Sequence, residues 1–292
     1  MTGCEAVGAS RRSRKDRSKT VAGFWGAHGA SLPRAGFGVA KLFFWQLAEQ
    51  RSRQQVASAV PMILSHKYKF IFIKTAKTAG TSIEVFLSKH CGPQDVVTPI
   101  VPPIDGHQPR NYEGLINPVS EILERPGKFF SALRHTMTSR AKFYNHMPAL
   151  EVKQRVPAYV WNGYFKFCVE RNPWDKVLSH YNMHAAREGG GLSLDEYLAR
   201  GRFPINDFRY LDRSRSKIIV DRIVRFENLL AELGEIFTQL RIPFEGTLGV
   251  AAKSEYRADR RPYGEVFNNQ QRRIVEKAFA REIELHGYRF EP

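Results

Sequence analysis

The chain has 292 residues and 42% hydrophobic content, so it is long enough to bury a full hydrophobic core. Its formal net charge of +16 predicts attraction to anions such as nucleotides, acidic glycans, nucleic acid or an anionic membrane surface. The three cysteines, Cys4, Cys91 and Cys168, are too few and too scattered for a disulfide framework or a zinc cluster, which favours a reducing, cytoplasmic compartment.

The first 60 residues are predicted to form a basic arm outside the folded domain. They carry ten Lys or Arg residues against three acids. The apolar piece at 42–45 is far shorter than the roughly 20 residues that span a bilayer, and no signal-peptide core follows the basic cluster. We therefore expect no transmembrane segment, with association at a membrane surface left open. The arm over 1–60 is expected to be disordered, to serve in targeting, or to precede a natural start at Met62, and the domain is expected over 62–292.

The residues from Phe70 to His90 are typical of a strand, a loop and a helix. Phe70–Ile73 is a run of β-formers, and an amphipathic segment runs from Thr81 to His90. Small loop residues let the backbone approach a ligand, and the helix start offers N–H donors at the positive end of the helix dipole. The pattern predicts a phosphate-binding loop with these ligand-contacting residues: Lys77, Thr78, Ala79, Gly80, Thr81 and Ser82.

The position of Lys77 argues against an ATP or GTP site. In loops that bind metal-bound triphosphates the lysine follows the last glycine, whereas Lys77 precedes Gly80 by three positions. The hydroxyl that would hold magnesium is therefore not beside the lysine. Glu84 is expected to orient Lys77 or to cap the helix. The alternative for the whole stretch is an ordinary strand-loop-helix crossover with surface lysines.

A second strand-loop-helix unit is predicted further along the chain. Apolar residues at 164–169 predict a strand, and Pro173 stands where proline favours the first turn of a helix. Arg171 follows the strand at its carboxyl end, where open parallel sheets bind ligands, and Ser179 lies about two helical turns later. Both residues are candidate anion ligands, and the alternative is that they are ordinary surface groups.

Other elements are predicted from periodicity and from turn residues. A strand is expected over 96–101, and a loop rich in proline and glycine is expected over 102–118, where His107 lies. A polar turn at 134–138 contains His135. Beyond the second unit we expect a strand over 217–226, a helix over 229–240, a basic loop over 246–265 and a last helix over 268–285.

Together these segments resemble the sulfotransferases that use 3′-phosphoadenosine 5′-phosphosulfate (PAPS). The similarity is to the carbohydrate branch, which includes bacterial members and the heparan and chondroitin sulfotransferases. Residues 77–82 resemble the family's 5′-phosphosulfate loop, and residues 169–181 resemble its 3′-phosphate element. The segments at 225–229 and 282–288 are also similar to family sequences, so the resemblance extends over residues 62–290.

The resemblance implies a fold and a set of site residues. The implied fold is α/β, a three-layer sandwich with a central parallel sheet, related to the P-loop nucleotide kinases. Lys77 would stabilise the leaving group, Gly80, Thr81 and Ser82 would hold the 5′-phosphate, and Arg171 with Ser179 would hold the 3′-phosphate. Arg257 would belong to a basic lid over the nucleotide.

The catalytic base is implied to be His135, because bacterial relatives carry a similar His-x-Thr-Ala stretch between the two nucleotide motifs. Here Met137 replaces the usual alanine. His107 is the runner-up, because some relatives carry a Gly-His pair in the acceptor loop. Histidine suits proton abstraction at neutral pH.

The implied reaction moves the sulfuryl group of PAPS to a hydroxyl acceptor by in-line displacement, leaves adenosine 3′,5′-bisphosphate (PAP) and requires no metal. The acceptor is expected to be a carbohydrate, and the basic charge is compatible with an acidic glycan. The host is expected to be bacterial.

One alternative is a magnesium-dependent nucleotide or small-molecule kinase of related P-loop fold. Another is a non-enzymatic polyanion binder, which the lack of a nucleic-acid motif disfavours. The sequence predicts no oligomeric state.

Overall fold

A mixed β-sheet lies at the centre of the computed structural model, which describes residues 62–116, 141–249 and 261–291. Within these ranges the sheet has five strands in the order β3-β1-β2-β4-β5. The strands are β1 (Ile63–Ser65), β2 (Phe70–Phe72), β3 (Val96–Val97), β4 (Phe165–Glu170) and β5 (Arg222–Arg225). The arm predicted over 1–60 lies outside the described residues, as do His135 and Arg257.

The sheet confirms the α/β class, but its strands are not all parallel as predicted. Strands β2, β4 and β5 are parallel, while β1 runs antiparallel to both β2 and β3. Strand β1 was missed because its three residues are too few to show a period of two. Lys69 has a φ of 53° in the turn that joins β1 to β2.

The helices of the described residues account for most of the remaining regular structure. In chain order they are α1 (Gly80–His90), α2 (Ala149–Arg155), α3 (Ala158–Gly163), α4 (Pro173–Arg187), α5 (Leu194–Ala199), α6 (Asp207–Tyr210), α7 (Leu229–Leu240), α8 (Tyr263–Val266), α9 (Asn269–Ala278) and α10 (Ala280–His286), with a 3₁₀ turn at Phe226–Asn228. None of the described helices is long and apolar enough to cross a membrane.

Both faces of the sheet are covered, because successive residues of a strand point to opposite sides. Ile71 and Cys168 belong to a buried cluster that also contains residues of α2 and α3. Phe72 and Phe167 belong to a second cluster on the opposite face, which contains residues of α1 and α7. This arrangement leaves the carboxyl ends of β2 and β4 as the edge at which both predicted phosphate motifs emerge.

Several element predictions are confirmed and others are wrong in length. The helix predicted over 229–240 coincides with α7, and α4 begins at Pro173. Strands β3 and β5 are shorter than expected. The last helix is divided into α9 and α10 at Phe279, whose backbone (φ −109°, ψ 17°) leaves the helical region while its ring is buried.

Replacing Gly80 with alanine is expected to destabilise the protein by about 1–3 kcal/mol, the usual cost of overpacking a core. A Cβ at this position would lie 2.6 Å from Cγ and 2.7 Å from Cε of Lys74, a buried side chain. Chemical denaturation would measure the loss. Gly163→Ala is the matched control, because no atom lies within 4 Å of its added Cβ, and it should not destabilise. Equal stability of Gly80→Ala and wild type would contradict the packing.

Candidate phosphate-binding site

The loop between β2 and α1 has the backbone of an anion-binding turn. Lys77 and Ala79 both have left-handed backbones, with φ values of 63° and 56°. Alternation of left-handed with right-handed residues turns successive N–H groups toward one side, the geometry of an anion-binding nest. Ala79 is also the N-cap of α1 and has no side-chain hydrogen bond to the helix, so its own side chain does not cover the positive end of the helix dipole.

Threonine side chains fasten this loop to the sheet. The Thr75 hydroxyl donates to the Val169 carbonyl of β4, and the Thr75 and Thr78 hydroxyl oxygens are 2.8 Å apart. Thr78 is only 1% exposed, and Thr81 and Ser82 are also buried. The Thr78 hydroxyl therefore shapes the loop from inside, and its backbone is the part of this residue left for ligand contact.

Lys74 is a buried cation beneath the loop that the sequence did not single out. Its Nζ donates to Glu84 Oε2 at 2.9 Å and to Thr81 Oγ1 at 3.0 Å. The expectation that Glu84 orients Lys77 or caps α1 is therefore wrong, because Glu84 pairs with Lys74 inside the protein. This pair joins the end of β2 to the first turns of α1. The aliphatic part of the Lys74 side chain packs against Gly80.

Lys77 is half-buried and lies against α4. Its Nζ is 3.8 Å from Met183 Sδ. Burial, the charge of His184 and the charge of Lys77 lower the pKa of His180 to about 3, so this histidine is neutral at pH 7. The Nδ1 atom of His180 is 2.7 Å from the hydroxyl oxygen of Tyr197. The charged end of Lys77 thus borders a neutral histidine and a thioether.

The structure brings Arg171 to the same loop. Its Nη1 donates to the Lys77 carbonyl at 3.3 Å, and its Nε and Nη2 donate to Asp175 Oδ2 at 2.8 and 2.6 Å. The guanidinium also lies over the Phe226 ring, 4.0 Å from its centroid. The two motifs predicted from sequence are therefore in direct contact.

Ser179 lies on the face of α4 that is turned toward the loop. It follows Asp175, which binds Arg171, by one turn and precedes Met183, which contacts Lys77, by one turn. Residues four apart in a helix share a face. Lys77, Arg171 and Ser179 consequently border one region, although no hydrogen bond joins Ser179 to either of the other two in the described residues.

A buried charged network under the loop was missed by the sequence analysis. Lys176 Nζ donates to Glu170 Oε1 at 2.6 Å and to Glu282 Oε2 at 2.5 Å, and all three side chains are fully buried. Asn206 joins the network to the loop: it donates to Glu170 Oε1 at 3.3 Å and accepts the Ala76 N–H at 2.8 Å. These residues come from β4, α4, α10 and the segment before α6, so no local pattern reveals their contact.

Substituting Glu282 with glutamine should change how stability depends on pH. Burial, followed by the charge of Glu170, raises the pKa of Glu282 from 4.5 to about 7, against the lowering effect of Lys176. Between these two values the unfolded chain loses the Glu282 proton and the folded chain keeps it, so Glu282 stabilises the fold below pH 4.5 and this contribution disappears as the pH rises through 7.

Glutamine resembles protonated Glu282 at every pH. The free energy of unfolding of Glu282→Gln, relative to that of wild type, should therefore rise by about 2–3 kcal/mol from pH 4.5 to pH 8. Urea unfolding measures both values. Glu284→Gln, an exposed neighbour, is the control and should show no such trend. A gap that is constant with pH would contradict the raised pKa.

Of the two candidate bases, the described residues include only His107. Its Nε2 lies 2.9 Å from the Thr98 carbonyl, and its Nδ1 is buried with no hydrogen-bond partner in the described residues. Burial is the main cause that lowers the pKa of His107, and the charges of Lys74 and Arg110 lower it further. His107 is therefore neutral at pH 7 and lies within electrostatic range of the loop. The choice between His107 and His135 stays a prediction.

Tyr263 marks the end of the basic loop that contains Arg257. Asn172, the residue after Arg171, donates through Nδ2 to the Tyr263 hydroxyl at 3.1 Å. The Tyr263 ring is stacked on Trp174, with centroids 6.4 Å apart. The described end of the basic loop is thus attached beside the Arg171 motif. No cluster of three or more metal-ligating side chains is present in the described ranges.

Comparison with known proteins gives one informative similarity. The chain is 33% identical over 117 residues to an uncharacterized protein of Archaeoglobus fulgidus, and the match covers 38% of this chain and 98% of the archaeal protein. No family model matches the chain, and no solved structure matches it. The name of this relative states no activity.

Proposed function

We propose that this chain, which belongs to one family with the uncharacterized protein of Archaeoglobus fulgidus, is a PAPS-dependent sulfotransferase. The observation that carries the proposal is the hydrogen bond from Arg171 Nη1 to the carbonyl of Lys77. It places a cation from one motif against the backbone of the other. A donor with phosphate groups at both the 5′ and 3′ positions needs two anion sites side by side, and this is the pair that the motifs supply.

The residues present fit such a ligand. The left-handed backbones at Lys77 and Ala79 and the start of α1 suit the 5′-phosphate. Arg171, oriented by two hydrogen bonds to Asp175, suits the 3′-phosphate together with Ser179. In this proposal the fold is a relative of the P-loop nucleotide kinases with helical layers on both faces of the sheet.

PAPS supplies the activated sulfuryl group, and the chain supplies position and charge. Lys77 donates to the phosphate oxygen on which negative charge builds as the bond between that oxygen and sulfur breaks. His135, or His107 in its place, accepts the proton of the acceptor hydroxyl as its oxygen bonds to sulfur. Arg171 and Ser179 hold the 3′-phosphate and keep the donor in line with the acceptor. The products are PAP and a sulfate ester.

The acceptor is proposed to be a hydroxyl on a carbohydrate. The net charge of +16 favours an acidic glycan over a neutral one. The test is formation of PAP from PAPS in EDTA, with chondroitin, heparosan and a neutral glucan as acceptors. PAP formation that depends on a glycan supports the proposal. Turnover of magnesium-ATP, with no PAP formed from PAPS, would favour the kinase instead.

A further inference from the structure

Arg209 is a half-buried cation with one guanidinium nitrogen shielded from solvent. The fully buried lysines are paired: Lys74 with Glu84, and Lys176 with Glu170 and Glu282. Arg209 forms no ion pair with any residue in the described part of the chain, and its Nε is shielded from solvent without a hydrogen bond. Buried charges are normally paired, because an unpaired charge in the interior is costly.

The surroundings of Arg209 keep it charged without neutralising it directly. Burial lowers the pKa of Arg209 to about 10, while the charges of Glu170 and Glu282 act in the opposite direction. The guanidinium is therefore protonated at pH 7. Its Nη1 donates to the Ile205 carbonyl at 2.7 Å and to Asn206 Oδ1 at 3.1 Å, which fixes its orientation. Its Nη2 makes no hydrogen bond within the described ranges and, unlike Nε, is not sealed from solvent.

Arg209 lies beside the phosphate-binding loop. Asn206 Oδ1 accepts from both the Ala76 N–H at 2.8 Å and Arg209 Nη1 at 3.1 Å, so one amide oxygen joins the guanidinium to the loop backbone. On the same stretch of loop, His146 Nδ1 lies 3.1 Å from the Lys74 carbonyl. Helix α6, which carries Arg209, packs against α2 just beyond His146.

We propose that Arg209 is a ligand-binding residue that takes an oxyanion seated against the loop. The inference rests on the proposed function and extends it, because neither sequence motif assigns Arg209 to the donor site. The oxyanion has one chemistry and two sources: the sulfonate of PAPS, or a carboxylate on an acidic acceptor. In both cases the accessible Nη2 of the guanidinium donates to an oxygen that bears negative charge, which strengthens the hydrogen bond.

The decisive variant is Arg209→Met, which keeps the length of the side chain and removes its charge. Calorimetry in EDTA would give the affinities of wild type and variant for PAPS and for PAP. If the sulfonate is the ligand, the affinity for PAPS should fall about 10–100-fold, as for a lost charged hydrogen bond, while that for PAP changes little. Arg209→Lys keeps the charge without the planar guanidinium. Its affinity for PAPS should lie between those of wild type and Arg209→Met.

If the oxyanion is a carboxylate of the acceptor, Arg209→Met should change glycan binding and leave the affinity for PAPS unchanged. With PAP saturating, wild type should bind chondroitin more tightly than carboxyl-reduced chondroitin, and Arg209→Met should lose that preference. Arg215→Met is the matched control, because Arg215 is exposed and pairs with Asp207 at 3.6 Å on the same segment. Arg215→Met should keep the wild-type ratio of PAPS affinity to PAP affinity. It should also keep the preference for chondroitin over carboxyl-reduced chondroitin.

The ratio of the two nucleotide affinities distinguishes binding from a structural role. Arg209→Met loses the Nη1 hydrogen bonds to the Ile205 carbonyl and to Asn206 Oδ1, so its Tm should fall in either case. A purely structural arginine would weaken PAP and PAPS together and leave the ratio of their affinities unchanged. If Arg209→Met changes neither the PAPS to PAP ratio nor the preference for carboxylate, the inference is wrong even when wild type binds PAP. If wild type binds no PAP at all, the proposed function fails first, and the two failures are separate.

Discussion

Replacing Lys77 with methionine is expected to slow sulfate transfer about 100–1,000-fold, the usual cost of removing one group that stabilises transition-state charge. Lys77 occupies a left-handed position of the loop, and its ammonium group is held against Met183 of α4. The stem of methionine preserves much of that packing. Single-turnover transfer from PAPS measures the chemical step, and calorimetry with PAP measures nucleotide binding separately.

The expected pattern is a large loss of rate with a much smaller loss of PAP affinity, because Lys77 acts chiefly where charge develops. Lys89→Met is the control: Lys89 is exposed in the last turn of α1, the helix that follows the loop, and its loss should leave the rate unchanged. If Lys77→Met transferred sulfate at the wild-type rate, Lys77 would have no role in leaving-group stabilisation.

Replacing Arg171 with methionine is expected to remove most of the preference for PAP over adenosine 5′-monophosphate, which lacks the 3′-phosphate. The variant should bind PAP about 10–100-fold more weakly, the range for one charge-assisted hydrogen bond, and should bind the monophosphate nearly as well as wild type does. The guanidinium is only 11% exposed and is oriented by Asp175, so it is preorganised for one site.

Arg222→Met provides the comparison, because Arg222 lies in β5 and pairs with Glu232 and Glu235 at the surface. It should bind both nucleotides as wild type does. Equal weakening of PAP and the monophosphate by Arg171→Met would mean that Arg171 only supports the loop, through its hydrogen bond to the Lys77 carbonyl.

The parts of this protein that were predictable from sequence are those with local signals. The run Phe70–Ile73 before small residues identified β2 and the loop, and Pro173 after an apolar run identified the start of α4. Arg171 was expected at the carboxyl end of its strand, the edge at which open parallel sheets bind ligands. In the structure it lies there and donates a hydrogen bond to the Lys77 carbonyl.

The parts that were not predictable depend on contacts between distant segments. Glu84 could be assigned to Lys77 or to the helix cap from sequence, since nothing local shows that Lys74 turns inward to meet it. Asn206 binds Ala76, 130 positions earlier in the chain, and such an amide resembles any other loop asparagine. Strand β1 was too short to be recognised, and its antiparallel pairing made the sheet mixed. The roles of His135 and Arg257 stay predictions, because both lie outside the described residues.

The binding of PAP to wild type is the measurement that bears most directly on the proposed function. Calorimetry in the presence of EDTA should show saturable binding of one PAP per chain. The affinity should be at least about 10-fold tighter than that for adenosine 5′-monophosphate, since the 3′-phosphate adds a charged contact. Absence of measurable PAP binding, or equal affinities for the two nucleotides, would contradict a PAPS site formed by the loop at Lys77 and by Arg171.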